Sequence, residues 1–185
     1  MPDLIQELVT EQAGTAPEQP AILFKDEVYS YADFQRGIDA VAQGLLELGL
    51  AAGERVAVYL PKLPRGVMAL FGAAAAGCVF VPVNPLLKPR QLAYILADCN
   101  VRVLVTSGQR LGQLEEALTT CPDLQSVVLV EDGEGEQRCA GLPVIPWNRF
   151  ALPGAGHSPH RRIDTDMVAI LYTSGSTGNP KGVVL

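Results

Sequence analysis

Residues Tyr172 to Val183 read "YTSGSTGNPKGV", and seven of them have the chemistry to hold an anion. Thr173, Ser174, Ser176 and Thr177 carry hydroxyl donors, and Lys181 adds a compact positive charge. Gly175 and Gly178 let backbone N–H groups approach a phosphate with no Cβ in the way. Pro180 fixes the backbone just before the lysine. Such a set can position a phosphate and neutralise its charge, without covalent chemistry. Glycine and serine also build ordinary hairpin turns, but a turn does not need four hydroxyls and a lysine in so short a span.

The flanks of this loop separate two kinds of phosphate site. "MVAILY" (167–172) reads as a strand before it, and "GVVL" (182–185) resumes with β-branched residues after it. A Walker-type loop requires G-x-x-x-x-G-K-[ST] and runs directly into a helix whose N-terminus faces the phosphates. Counting from Gly175, the second glycine position holds Pro180, and Lys181 is followed by Gly182. The Walker reading is therefore excluded, and a loop between two extended segments is expected.

A loop of this kind needs a frame, and the preceding residues alternate between strand and helix patterns. "AILFKDEVYSY" reads as a hairpin turning around Lys25 to Glu27. Ser30 with Asp33 makes a capping-box pattern, after which Phe34, Ile38, Val41, Leu45 and Leu48 recur at helical spacing as far as Gly49. "RVAVYL" (55–60) is a strand, and Pro64 opens a helix of small residues that ends at Gly77. "CVFVPV", "VRVLVT" and "SVVLV" are further strands; Leu92, Ile95 and Leu96 mark one helix between them, and Leu111, Leu114 and Leu118 another.

Strands that are nearly continuous apolar runs, separated by helices, imply a doubly wound α/β fold: a mostly parallel sheet with helices on both faces. "EDGEGEQRCAG" (131–141) is expected as an acidic solvated loop and "ALPGAGHSPHRRIDTD" (151–166) as a connector. The organisation expected is an N-terminal α/β subdomain at 1–165, followed at 166–185 by a strand, the phosphate loop and the start of the next segment.

Composition narrows the function classes. The 185 residues are 48% apolar, with 18 glycines and 14 prolines, which describes a globular chain with many turns. A formal charge of −6 with scattered basic residues excludes a nucleic-acid footprint. Cys78, Cys99, Cys121 and Cys139 fall singly, with only His157 and His160 to complete a metal set, so buried reduced thiols and a cytoplasmic chain are expected. "MPDLIQELVTEQ" has no basic segment leading into an apolar one, so it is no secretory signal. The uncharged run 66–87 is long enough for a bilayer, but Gly77, Pro82, Asn84 and Pro85 break it into a buried helix feeding a buried strand. Arg65, Lys88, Arg90 and Arg102 are read as solvated helix-end residues, and Trp147 as a core or sheet-edge residue.

"YTSGSTGNPKGV" resembles, position for position, the signature phosphate loop of the adenylate-forming superfamily: acyl-CoA synthetases, peptide-synthetase adenylation domains and luciferase-like enzymes. Two upstream segments agree in order and spacing. "YSYADF" (29–34) resembles the family's early strand-to-helix segment, and "AAAAGCVFVPVNPLLKPRQLAYILADCNVRVLVT" its second core segment. The "VNP" within the latter is similar to acyl-CoA synthetases, whereas the amino-acid-activating branch more often has an aspartate there.

The resemblance implies the truncated N-terminal subdomain of an AMP-forming acyl-CoA or fatty-acid CoA ligase. In such an enzyme a carboxylate attacks the α-phosphate of Mg-ATP, giving an acyl-adenylate and pyrophosphate, and the thiol of coenzyme A then displaces AMP. The role carried over to Thr173, Ser174, Gly175, Ser176, Thr177, Gly178 and Lys181 is to hold the β- and γ-phosphates. No catalytic residue or metal ligand is implied within these residues. ATP, Mg2+ and coenzyme A are the implied cofactor and co-substrates, and a fatty or other acyl acid is the small-molecule partner. Because "GVVL" stops within an apolar run, an inactive fragment is expected, with exposed edges that favour artefactual oligomers. The competing readings are an adenylation domain for an amino or aryl acid, and a non-catalytic α/β binding module.

Overall fold

Side chains that satisfy helix ends set the first elements. Glu7, the first residue of α1 (Glu7–Thr15), accepts hydrogen bonds from the backbone N–H groups of Asp3 (2.8 Å) and Leu4 (3.1 Å) just before the helix. β1 (Pro20–Phe24) and β2 (Glu27–Ser30) then pair antiparallel, turning through Lys25 at a φ of 53°. At the next helix the capping box forms as its spacing requires: Ser30 Oγ accepts from Asp33 N–H (3.1 Å), and Asp33 Oδ2 accepts from Ser30 N–H (3.0 Å). The helix so opened, α2 (Tyr31–Glu47), buries Phe34, Ile38, Val41 and Leu45 along one stripe, and Leu48 beyond its end is half-buried.

In the computed structural model, which describes residues 3–152, 157–173 and 180–185, the remaining elements follow the expected alternation up to β5 and depart from it in places beyond. They are β3 (Arg55–Val58), α3 (Pro64–Ala75), β4 (Val79–Pro82), α4 (Pro89–Asp98), β5 (Val101–Thr106), α5 (Gly108–Leu111), α6 (Glu115–Leu118), β6 (Ser126–Leu129), β7 (Gln137–Cys139), β8 (Leu142–Pro146), α7 (Trp147–Phe150), β9 (Ile170–Thr173) and β10 (Lys181–Val184). Leu111, Leu114 and Leu118 do not share one helix. Helix α5 ends at Gly112, and Leu114 caps α6 with φ −103°, so the stripe is carried by two single turns. The acidic stretch 131–141 is not all loop either, since Gln137–Cys139 forms an edge strand against β8.

The principal sheet has the order β4-β3-β5-β6-β8-β7, parallel throughout except for β7 at its edge. The pleat sends alternate residues to opposite faces. Val56, Val58, Val103, Val105 and Val128 pack under α2, α3 and α7, while Ala57, Tyr59, Leu104 and Val127 pack under α4 and α6. The register slips by one residue where β3 meets β5, so Val101 faces the second layer and Arg102 is left at the margin. There Arg102 pairs with Glu54 (2.8 Å) and Asp123 (2.9 Å). The chain has the doubly wound α/β architecture expected of it.

Helices α2 and α3 cross with almost no space between their backbones. A Cβ on Gly72 would lie 2.4 Å from Val41 Cγ1 and 3.0 Å from Ile38 O, so only glycine permits the crossing. The run 66–87 folds as a buried helix and strand, and no helix among the described residues is long and apolar enough to cross a membrane. The connector is strapped to this layer. His157 exchanges two hydrogen bonds with the Gln43 side chain (2.9 and 3.0 Å), and His160 Nε2 lies 2.8 Å from Leu50 O.

Candidate functional site

The candidate site begins where β9 joins the edge of the principal sheet. Phe80 N–H donates to Val168 O (3.0 Å), and Phe80 forms a single parallel bridge with Ala169. Ile170 is buried in the layer beneath α4. β10 returns antiparallel with Val184 opposite Ile170, Val183 opposite Leu171, Gly182 opposite Tyr172 and Lys181 opposite Thr173. Leu185 N–H donates to Ala169 O (3.0 Å) and closes the open end of this ladder.

That register brings two of the seven candidate residues together. Thr173 and Lys181 are both exposed and directly opposed at the last described rung of the hairpin. Ser174, Gly175, Ser176, Thr177 and Gly178 lie outside the described residues. A strand, not a helix, follows Lys181, as the failed Walker pattern required.

Two residues that the spacing did not single out support the hairpin. Tyr172 OH donates to Asp98 Oδ2 (2.5 Å) at the end of α4, and Tyr94, one helical turn earlier, donates to Asp98 Oδ1 (3.4 Å). Burial pushes the Tyr172 hydroxyl well above its usual range, and its hydrogen bond to Asp98 pushes it the same way, so it remains a donor. Opposite it, a Cβ on Gly182 would lie 2.9 Å from Ile170 Cγ2 and 3.2 Å from Tyr172 Cζ. A contact between residues so far apart in the chain leaves no periodic trace in either segment.

Pro180 also borders an open groove of about 1060 Å³ along α4 and α6, whose lining includes Lys88, Arg90 and Glu116. Arg65 and Arg102, by contrast, are structural. Arg65 donates to Val130 O (2.5 Å) and Asp132 (2.9 Å), and its guanidinium sits 5.5 Å from the centre of the buried Trp147 ring. The carboxyl ends of β3 and β5, where open parallel sheets commonly bind ligands, are filled by the chain itself. Thr106 Oγ1 donates to Tyr59 O (3.1 Å), and Arg110 lies 4.7 Å over the Tyr59 ring while donating to Pro85 O (2.7 Å).

Burial favours the protonated form of the four thiols. All four cysteines are free and buried, and burial pushes Cys78 up to about 12. Among the described residues no group of His, Cys, Asp and Glu is arranged to hold a metal ion.

The sequence profile described as "AMP-binding enzyme" matches residues 9–185. The chain belongs to the AMP-binding enzyme family. Among curated members of this family, an L-proline--[L-prolyl-carrier protein] ligase from Streptomyces coelicolor is 36% identical over 89% of the chain and 31% of its own length. An acetyl-coenzyme A synthetase from Gemmatimonas aurantiaca is 31% identical over 92% of the chain and 29% of its own length. The chain thus spans about a third of these relatives. Among solved structures, an anthranilate CoA ligase in complex with anthranoyl-AMP superposes with a TM-score of 0.87 at 26% identity, over all of the chain and 35% of that protein.

Proposed function

We propose that the chain forms the phosphate-holding part of an AMP-forming acyl-CoA ligase, with residues 1–165 as frame and 166–185 as the loop-bearing element. The observation that carries this reading is the hairpin register, which sets Lys181 opposite Thr173 at the two ends of the signature loop. Thr173, Ser174, Ser176 and Thr177 supply hydroxyls to the β- and γ-phosphates of ATP, Gly175 and Gly178 supply backbone N–H groups, and Lys181 neutralises charge gathering on the departing pyrophosphate. Mg2+ is assigned to other parts of the ligase, as the family resemblance implies. Coenzyme A as acceptor is supported by "VNP" (83–85). The buried free thiols support a reducing compartment such as the cytoplasm.

The test is carboxylate-dependent exchange of pyrophosphate into ATP, measured in a polypeptide that joins this chain to the rest of the ligase. Lys181→Ala is expected to lower exchange by about 10²-fold or more with the melting curve unchanged. Undiminished exchange sinks the reading. Residues 1–185 alone, given ATP, a carboxylate and coenzyme A, are expected to form no acyl-CoA.

A second reading, an adenylation domain for an amino acid, is favoured by the 36% identity to a ligase acting on L-proline and a carrier protein. Exchange supported by proline but not by acetate or longer alkanoates would select it.

A further inference from the structure

β9 leaves the principal sheet after one bridge and one buried residue, Ile170. Beyond that point β10 is exposed along its whole length and has β9 as its only strand neighbour among the described residues. The side chain that ties this outer half to the frame is Tyr172. Its 2.5 Å hydrogen bond to Asp98 fastens this outer half to the end of α4, where Cys99 also lies against the Tyr172 hydroxyl.

We propose that Tyr172 is a positioning residue for Lys181, acting through its hydrogen bond to Asp98 and its contact with Gly182. Asp98 sits at the end of a helix whose Leu92, Ile95 and Leu96 are fully buried, so it is a fixed point. Its second oxygen lies 3.4 Å from the Tyr94 hydroxyl. A carboxylate acceptor makes the bond short and directional. From that anchor the Tyr172 ring lies against Gly182, which has no side chain to hold it off and is the residue next to Lys181. The position of Asp98 on α4 is thereby passed to the lysine through one ring. A displacement of about 1 Å at such a group is enough to weaken its hold on the ATP phosphates and to slow adenylyl transfer.

This inference rests on the proposed role of Lys181, and the experiment separates the two. In pyrophosphate exchange by the joined polypeptide, Tyr172→Phe removes only the hydroxyl and is expected to raise KM for ATP roughly tenfold, leaving KM for the acid unchanged. Asp98→Ala should match it, and Asp98→Asn, which keeps an acceptor oxygen, should recover most of the loss. In a Lys181→Ala background Tyr172→Phe should add nothing, because its effect runs through the lysine. An equal loss in both backgrounds, or an unchanged KM for ATP in Tyr172→Phe, overturns the proposal. If Lys181→Ala itself is without effect, the proposed function fails, and amide hydrogen exchange of the joined polypeptide still decides the positioning. Tyr172→Phe should speed exchange across Leu171–Thr173 and Lys181–Val183 but not in β5. Unchanged protection of the hairpin overturns the proposal.

Discussion

Strands β5 and β10 are both rich in valine, yet they meet opposite surroundings. In "VRVLVT", Val101, Val103, Leu104, Val105 and Thr106 are fully buried, with strands on either side and helices above and below. In "KGVV" every residue is exposed, and Val183 and Val184 retain about half of their accessible surface. β-branched residues make a strand in both places, but burial is decided by where that strand falls in the sheet order. Strand β5 is held by the hydrophobic effect from both faces. Strand β10 is held by its ladder to β9, and β9 by the bridge at Phe80 and the hydrogen bond at Asp98. Stability is therefore concentrated in the first region, and the proposed chemistry in the second.

The contrast can be tested by substitution. Leu104→Ala empties a fully buried position in the middle of β5 and should lower the unfolding free energy in urea by about 2–5 kcal/mol. A loss no larger than that of a surface substitution would mean that β5 is not the centre of the core.

A smaller effect is expected at the capping box, and it depends on pH. The Ser30 hydroxyl and the Ser30 backbone N–H, in that order, hold the Asp33 carboxyl below its ordinary value of 3.8. A carboxyl lowered by folding contributes stability that is present above the ordinary value and lost as pH falls through the folded one. Thermal melts between about pH 5 and pH 2 should thus show the native chain losing slightly more stability than Asp33→Asn, by a small margin because the group is near the surface. Parallel melting curves would remove the carboxylate from the cap.

The smallest effect belongs to β10. Val183→Thr, on a half-exposed strand with no helix over it, should change the unfolding free energy of residues 1–185 by less than about 0.5 kcal/mol. A loss comparable to that of Leu104→Ala would show that the two strands share one core.

Most of the frame was legible because its signals are local. The Ser30–Asp33 spacing, the stripe from Phe34 to Leu45 and the apolar runs of β3 to β6 each state their structure within a few residues. The hairpin around the loop was legible from the flanking strands and from Gly182 standing where a Walker motif needs a hydroxyl. Strand β8 was not, because Pro143 and Pro146 interrupt its pattern; both are tolerated since neither must donate to the ladder. The break between α5 and α6 was hidden because the leucine spacing continues across it. The Tyr172–Asp98 contact could not be found from spacing at all, since it depends on how α4 and the hairpin meet in space.

The bridge between Phe80 and Ala169 has a consequence for how the chain tolerates change in length. Among the sheet contacts it closes the longest stretch of chain, about twice that closed where β3 meets β5. Loop-closure entropy grows only logarithmically, so a doubling adds only about 0.6 kcal/mol. One hydrogen bond such as Tyr172 to Asp98 is enough to offset it. The connector between α7 and β9 can therefore gain or lose residues at little thermodynamic cost, while its anchor points at Gln43, Leu50 and Phe80 cannot move without moving the hairpin.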